Sequence, residues 1–487
     1  MLFFVACVEV PEPKVDTGPT APGFDEEVDV LVIGGGPAGL AAASTAAAAG
    51  VSVVVLEREA GLGGAALVAG GLMMFSGTAE QDAQGIVDSP AILTAEWAEF
   101  TGGDPTDPWF QLFADRNVSE VHDWLAALGL TWSEVKSDPS SGRTARVHHA
   151  TTDGAGIVEV LAGTVPSDSV RLGATAEGLI LDGDRVVGVT WSDATGEHTI
   201  GADAIVVATG GFIRDLARIE ALYPDLPDDQ LLVGAGAGAD GAGLALLEAR
   251  GAASKNVGAI GFYAHAVPSP RGGRAELTSA ALTRFPWVNH QAQRFGDEWD
   301  VNSFRLGRTR AEQEGGSVWL IGDAGLRGAV FFDPADDTQA WSVDELVDAR
   351  IGVTATDLDA LAAALAVPSD GLGGTIDAWN SAADGEIVDP YRDPAALPAF
   401  DVRREPYYAV PVGISVVKNF GGIHVDTEGR VLSASGAPLP GLWASGELTG
   451  MLGGSIVGDY GFTGSLTAVI LGGKIAGESA AAEAMAR

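Results

Sequence analysis

The chain has 487 residues, enough for two or three domains, and 46% of them are hydrophobic, enough for large cores. Asp and Glu number 66 against 28 Lys and Arg, and the formal net charge of -38 argues against nucleic acid and against an anionic membrane surface as partners. The single cysteine, Cys7, excludes an intrachain disulfide, a dithiol redox centre, a cysteine zinc site and covalent haem attachment, so electrons have to come from a separate donor.

Met1 to Val10 is an apolar start with no basic flank, and Val5-Ala6-Cys7 resembles the end of a lipobox. The run is far too short for a transmembrane helix and lacks the charged region of a signal peptide. Two readings stand: a bacterial protein exported and lipid-anchored at Cys7, or a cytoplasmic protein with a hydrophobic start. Pro11 to Gly23, rich in Pro, Thr and Gly, reads as a flexible tether and favours the first.

Val28 to Ile33 predicts a buried strand, and Gly34, Gly36 and Gly39 follow with G-x-G-x-x-G spacing. Pro37 stands where a first helical turn needs no N–H. An Ala-rich helix over 38–49 and a second strand over 51–56 complete a βαβ unit that ends at Glu57. Such a turn brings backbone N–H groups and a helix N-terminus to a pyrophosphate, and the acidic residue about 20 positions on is placed for ribose hydroxyls. Glu59 to Gly71 is a loop of small residues that presents few side chains and can lie against a planar ring.

Thr94 to Gly129 carries Trp97, Phe100, Phe110, Phe113, Val121, Trp124, Leu125 and Leu128 at helical spacing, as core. Arg146-Val147-His148-His149 lies in a polar segment, where a surface role weighs at least as much as ligand contact. Residues 170–208 change to period two and predict a β-meander, followed by a separate buried strand, Ala204 to Ala208, that ends in Thr209-Gly210-Gly211. Gly234 to Gly251 is a glycine-rich turn and a helix, without the strand and acidic residue of a second nucleotide fingerprint. From Gly258 to about Pro411, short strands mix with helices, which predicts an inserted domain. Strand character returns at Pro411 to Val425 and Leu442 to Gly446, and Gly464 to Ala482 predicts a closing small-residue helix. No metal-ligand cluster with useful spacing appears among seven His and one Cys, so no metal is expected.

The ordered set of segments resembles the flavoproteins of the fumarate reductase and succinate dehydrogenase type, which include ketosteroid dehydrogenases and urocanate reductases. It runs from the Gly34 turn and Glu57 through Gly63-Gly64, Gly70-Gly71, Ala208-Thr209-Gly210-Gly211-Phe212 and Val288-Asn289. It continues with Arg294-Phe295-Gly296-Asp297-Glu298, Pro406-Tyr407-Tyr408-Ala409, Phe420-Gly421-Gly422-Ile423, Pro440 to Glu447 and Gly464-Ser465-Leu466. The resemblance implies an α/β fold: a Rossmann-like FAD-binding domain with a β-meander and an inserted α+β capping domain. Its parts are a signal-like start and tether (1–25), the FAD domain (26–258 and 412–487) and the cap (259–411).

The implied cofactor is FAD, lying extended. Gly34, Gly36, Pro37, Ala38 and Gly39 would hold its diphosphate. Glu57, with Arg58 beside it, would hold the adenosine ribose. Gly63, Gly64, Ala65, Gly70, Gly71, Ala208, Thr209 and Gly210 would line it, and Gly446 and Glu447 would meet the ribityl chain. The isoalloxazine ring would face the last helix N-terminus at Gly464, Ser465 and Leu466, where partial positive charge favours reduced flavin.

Departures from the fumarate-reducing pattern are instructive. Tyr460 stands where a carboxylate-binding Arg is expected, Asn302 where a proton-donating Arg is, and Lys418 in place of a His; His265 matches a substrate-binding His. Tyr460 with Gly464 resembles the ketosteroid dehydrogenase pair that polarises a ketone oxygen, an oxyanion-type site. The expected activity is FAD-dependent oxidoreduction of a CH–CH bond next to a carbonyl. Tyr460 and Gly464 would hold the carbonyl, His265 or Tyr263 would orient substrate or carry the proton, and Arg305 or Arg308 offers a displaced cationic donor. Two alternatives stand beside it: an ene reductase of an unsaturated carboxylate, of the fumarate or urocanate type, and a flavin-binding protein without catalysis. Expected partners are a small-molecule substrate and a separate electron donor or acceptor, a protein or a quinone. Membrane contact is expected only through the lipid anchor.

Overall fold

The computed structural model describes residues 14–16, 23–101, 103–133, 135–137, 143–224, 231–272, 276–300, 304–313, 318–333, 336–392, 398–455 and 464–487. β1 (Lys14–Asp16) lies parallel to the meander, beside Gly178 to Ile180. The tether expected over 11–23 therefore contains a paired segment, because the meander's edge offers open N–H and C=O groups that an extended chain satisfies. β2 (Glu26–Ile33), α1 (Pro37–Ala48) and β3 (Val53–Glu57) form the first βαβ unit. Val30 to Ile33 and Val53 to Leu56 are buried, as parallel strands covered on both faces must be.

A helical layer follows. It contains β4 (Leu72–Met74), α2 (Ala79–Ala83), α3 (Pro90–Thr101), α4 (Pro108–Arg116), a π-helical turn over Asn117–His122, α5 (Asp123–Ala127), β5 (Val147–His149) and α6 (Asp153–Ala162). Arg146 and His148, read from sequence as polar and at least as much surface as ligand, are fully buried. Arg146 is drawn inside by Asp88 and Glu96, whose carboxylates lie 2.8 and 2.6 Å from its guanidinium. Burial pushes the His148 imidazole down to about 4.

β6 (Val170–Leu172) extends the sheet beyond β3, and β7 (Thr175–Asp182), β8 (Arg185–Asp193) and β9 (Gly196–Val207) make the meander. The strand expected separately at Ala204 is the second half of β9. Its first half runs antiparallel to β8, and its second half runs parallel to β2. α7 (Leu216–Leu222), β10 (Leu231–Val233), α8 (Ala242–Ala249), β11 (Ser254–Lys255) and β12 (Ile260–Pro268) lead to the insertion.

The insertion holds β13 (Glu276–Leu277), β14 (Trp287–Val288), α9 (Phe304–Ala311), β15 (Trp319–Gly322), β16 (Phe331–Asp333), β17 (Asp336–Trp341), α10 (Val343–Asp348), β18 (Val353–Ala355), α11 (Leu358–Leu365), α12 (Ser369–Ala383) and β19 (Tyr407–Pro411). The chain returns through β20 (Gly413–Asn419), β21 (Gly422–Ile423), β22 (Arg430–Leu432) and β23 (Pro438–Ala444), which joins β9 in parallel, and ends in α13 (Leu466–Met485).

Two cores result. One runs under the main sheet, and the other holds Ala264 to Val412. The antiparallel strands β12 and β20 join them: Tyr263 and Ile414 belong to the first core, Ala264 and Val412 to the second.

Candidate functional site

The three glycines of the opening turn serve different contacts. Gly34 has φ +108°, and a Cβ there would lie 2.4 Å from the Ala208 carbonyl oxygen. A Cβ on Gly39 would lie 1.9 Å from the Gly34 oxygen. Both are glycine because protein backbone is in the way. Gly36 differs: a Cβ there would meet nothing nearer than 3.9 Å. Its bare face opens beside Pro37, the first residue of α1, where unpaired N–H groups and the helix dipole favour an anion. That is the division of labour a pyrophosphate cradle requires: tight turn, open approach, close helix packing.

The flanking residues close around this turn. Gly35 N–H donates to Glu57 Oε2 at 2.7 Å, and Glu59 N–H donates to its Oε1 at 2.8 Å. Each carboxylate oxygen keeps a lone pair for a ribose hydroxyl. Gly63 N–H donates to the Gly35 carbonyl at 2.9 Å, which seats Gly63, Gly64 and Ala65 beside the turn. Gly71 has φ +63° and packs on Asp153, whereas Gly70 faces open space. Ala208 N–H donates to the Ile33 carbonyl at 2.8 Å, which brings Thr209 and Gly210 to the same end of the sheet.

The 234–240 loop, which lacks the strand and acidic residue of a second nucleotide fingerprint, also belongs here. A Cβ on Gly236 would lie 2.8 Å from Ala65 Cα, and Asp240 takes an ion pair from Arg58 at 2.5 Å. The signal was present in the alternation Gly234, Gly236, Gly238.

Gly446 sits against Ala38, with 2.9 Å between a Cβ built on it and the Ala38 Cβ. Asn419, unnoticed in the sequence, links this segment to β20. Its backbone N–H donates to Glu447 Oε1 at 3.0 Å and its side-chain amide to the Glu447 carbonyl at 2.8 Å. Glu447 keeps part of its surface exposed, yet the protein around its carboxyl is dense. Burial pushes that carboxyl up to about 7, against the opposing pull of the Asn419 N–H and the Lys418 charge.

α1 and α13 lie side by side and parallel. A Cβ on Gly473 would meet the Ala38 carbonyl oxygen at 2.2 Å, and one on Gly477 would meet that of Ala42 at 2.3 Å. This register places Pro37 level with Gly472, six residues inside α13, so α13 begins about 9 Å before α1. At that forward end Gly464, with φ +85°, accepts from Met74 N–H at 3.4 Å, and Ser465 bridges Met73 of β4. Lys418 Nζ reaches Ser465 Oγ at 3.4 Å, and its ammonium lies 5.9 Å from the Tyr263 ring centroid and 5.8 Å from that of Phe420.

Tyr263 is therefore brought to the α13 end. Tyr460 and Asn302 lie outside the described residues. His265 stands on β12 and Arg305 and Arg308 on α9; their side chains lie outside the described set. The Arg294 to Glu298 motif is structural: the Arg294 guanidinium forks onto Glu298 at 2.7 Å, bonds Asp389 at 2.8 Å and lies over Trp379.

The family model described as FAD binding domain matches residues 29–458. A fumarate reductase (cytochrome) of Shewanella frigidimarina is 28% identical over 473 residues, covering 94% of this chain and 77% of that protein. A KsdD-like steroid dehydrogenase of Mycobacterium tuberculosis is 26% identical over 566 residues, covering 96% and 98%. The crystal structure of 3-ketosteroid delta1-dehydrogenase from Sterolibacterium denitrificans superposes with a TM-score of 0.77 at 17% identity, covering 95% of this chain and 100% of that one, a likeness of fold. With the glycine cradle intact and the match running through nearly the whole chain, this protein belongs to the FAD binding domain family, as an FAD-dependent oxidoreductase of the fumarate reductase and ketosteroid dehydrogenase group.

Proposed function

We propose that the protein transfers a hydride to or from a CH–CH bond adjacent to a ketone or enone carbonyl, and exchanges electrons with a separate protein or quinone. FAD, when bound, supplies the hydride acceptor or donor. The observation that carries the reading is the meeting of the Lys418 ammonium with the N-terminus of α13 at Ser465, against the rings of Tyr263 and Phe420. A cation and a helix N-terminus stabilise charge that develops on one oxygen, and the aromatic wall keeps water from weakening that field. Tyr460 and the Gly464 N–H hold the carbonyl oxygen. Tyr263 or His265, both on β12, orients the substrate or moves the proton at the α-carbon. The 259–411 segment acts as the cap over the substrate.

A carboxylate substrate would use the same cation, so the test has to separate the two. The flavin-loaded enzyme is reduced chemically under anaerobic conditions, then mixed with enones, 3-keto steroids with a conjugated C=C bond among them, or with unsaturated acids. Reoxidation by the ketone series is expected; turnover with the acids alone would transfer the reading to an unsaturated-carboxylate reductase. Failure of both classes would remove the CH–CH assignment. Lys418→Met is expected to lower kcat by roughly 100-fold with flavin content unchanged.

A further inference from the structure

Outside the flavin site, three separate segments build one cluster. α2 supplies Glu80, the π-helical turn supplies His122 and β5 supplies His148, and one ligating atom of each lies within 4.8 Å of the others. His122 Nδ1 is 2.8 Å from the Asp123 carboxylate, and His148 Nδ1 is 2.8 Å from the Arg146 carbonyl. A carboxylate and a carbonyl only accept, so each Nδ1 carries a proton, and the neutral form of each imidazole presents its lone pair at Nε2. This is how histidine ligands are oriented at metal centres.

His122 Nε2 faces Glu80 Oε2 at 3.1 Å, and neither of these buried atoms makes an aligned hydrogen bond. With His122 neutral the two atoms are facing acceptors, and a proton or a metal cation between them relieves the repulsion. His122 is only 5% exposed. Phe75 sets its edge against both imidazoles, and Trp132 stacks on His122, so the rings are held in place. The Thr78 hydroxyl, 2.8 Å from His148 Nε2, has a second acceptor in Gln81 Oε1 at 3.4 Å and can release the imidazole lone pair. The Glu80 side chain is 32% exposed and gives an entry path.

We propose that Glu80, His122 and His148 bind one divalent transition metal, with Zn2+ as the fitting ion for two imidazoles and a carboxylate and with water as the fourth ligand. The metal clamps α2, the π-helical turn and β5. His148 pairs with Met73 of β4, and Met73 bridges Ser465, so the clamp fixes the strand that lies along the α13 end.

The test uses the flavin-loaded protein, dialysed against a chelator, reloaded with zinc chloride and freed of excess by gel filtration. One zinc per chain is expected by mass spectrometry. The zinc absorption edge should report two imidazoles at about 2.0–2.1 Å, and the melting temperature should rise with zinc. Asp123→Asn, at an exposed carboxylate that orients His122, should weaken zinc binding about 10- to 100-fold. His148→Ala should abolish it. If that variant does not fold, Glu80→Gln carries the same prediction from a partly exposed position, with retained flavin as the folding control. Wild-type protein with no zinc above the buffer after loading overturns the proposal. So does a folded Glu80→Gln variant that binds zinc as tightly as wild type.

Discussion

Gly36 and Gly39 stand on the same turn and are glycine for opposite reasons: one faces open space, the other faces the Gly34 carbonyl. Gly39→Ala is expected to cost roughly 1–3 kcal/mol of apoprotein stability, read as a lower melting temperature. Gly36→Ala should melt like wild type, because its φ of -80° suits any residue, yet lose at least tenfold in FAD affinity by flavin titration. Glu447 gives a pH signature. Its carboxyl titrates near 7 in the folded protein against an ordinary 4.5, so the fold favours the neutral form. Apoprotein stability should be greatest below about pH 4.5 from this group and decline as pH rises towards 7. Glu447→Gln should flatten that decline in thermal melts across the range. The roles of single residues were only partly legible. The spacing of Glu57 from the turn shows in the sequence, whereas its two backbone hydrogen bonds depend on how the Gly35 loop folds back.

At the scale of elements, the α1–α13 contact decides the geometry of the site. Both helices are dominated by Ala and Gly, so each lacks a strong apolar face and packs by backbone approach. Gly477→Ala would place a methyl 2.3 Å from the Ala42 carbonyl oxygen; a loss of roughly 1–3 kcal/mol is expected in chemical denaturation, with weakened flavin retention. The closing helix was readable from its small residues, but its partner and register were not, because neither helix carries a periodic stripe to mark them. The meander was readable by period two. The union of its last strand with the sheet strand after it was hidden, because β9 changes partners midway. The Glu80, His122 and His148 cluster is invisible to spacing rules, since α2, the π-helical turn and β5 contribute one ligand each.

Across the whole molecule, the two cores communicate through β12, β20 and one buried guanidinium. Arg310 of α9 donates to the Val412 carbonyl through Nε at 2.9 Å and Nη2 at 2.6 Å, where the chain passes from one core to the other. Arg310→Met would leave that buried carbonyl short of its donors. A loss of roughly 1–3 kcal/mol is expected in the insertion, measured as faster proteolysis within 259–411 while the flavin domain resists. The order of glycine segments made the architecture legible, since each needs a backbone conformation or approach that other residues refuse. The expected substrate residues were less so: Tyr460 and Asn302 fall outside the described residues, and side chains on the insertion's strands are set by long-range packing that no local pattern encodes. The 9 Å stagger between the two helix starts works as a caliper. Its jaws are two positive ends at fixed separation, and a ligand has to present negative character at both to close them. A dinucleotide is long enough to do so. A flavin mononucleotide carries both features, the isoalloxazine and a phosphate, whereas riboflavin lacks the phosphate and engages one jaw only, so the same protein should hold the mononucleotide and release riboflavin, before any contact with adenine is counted.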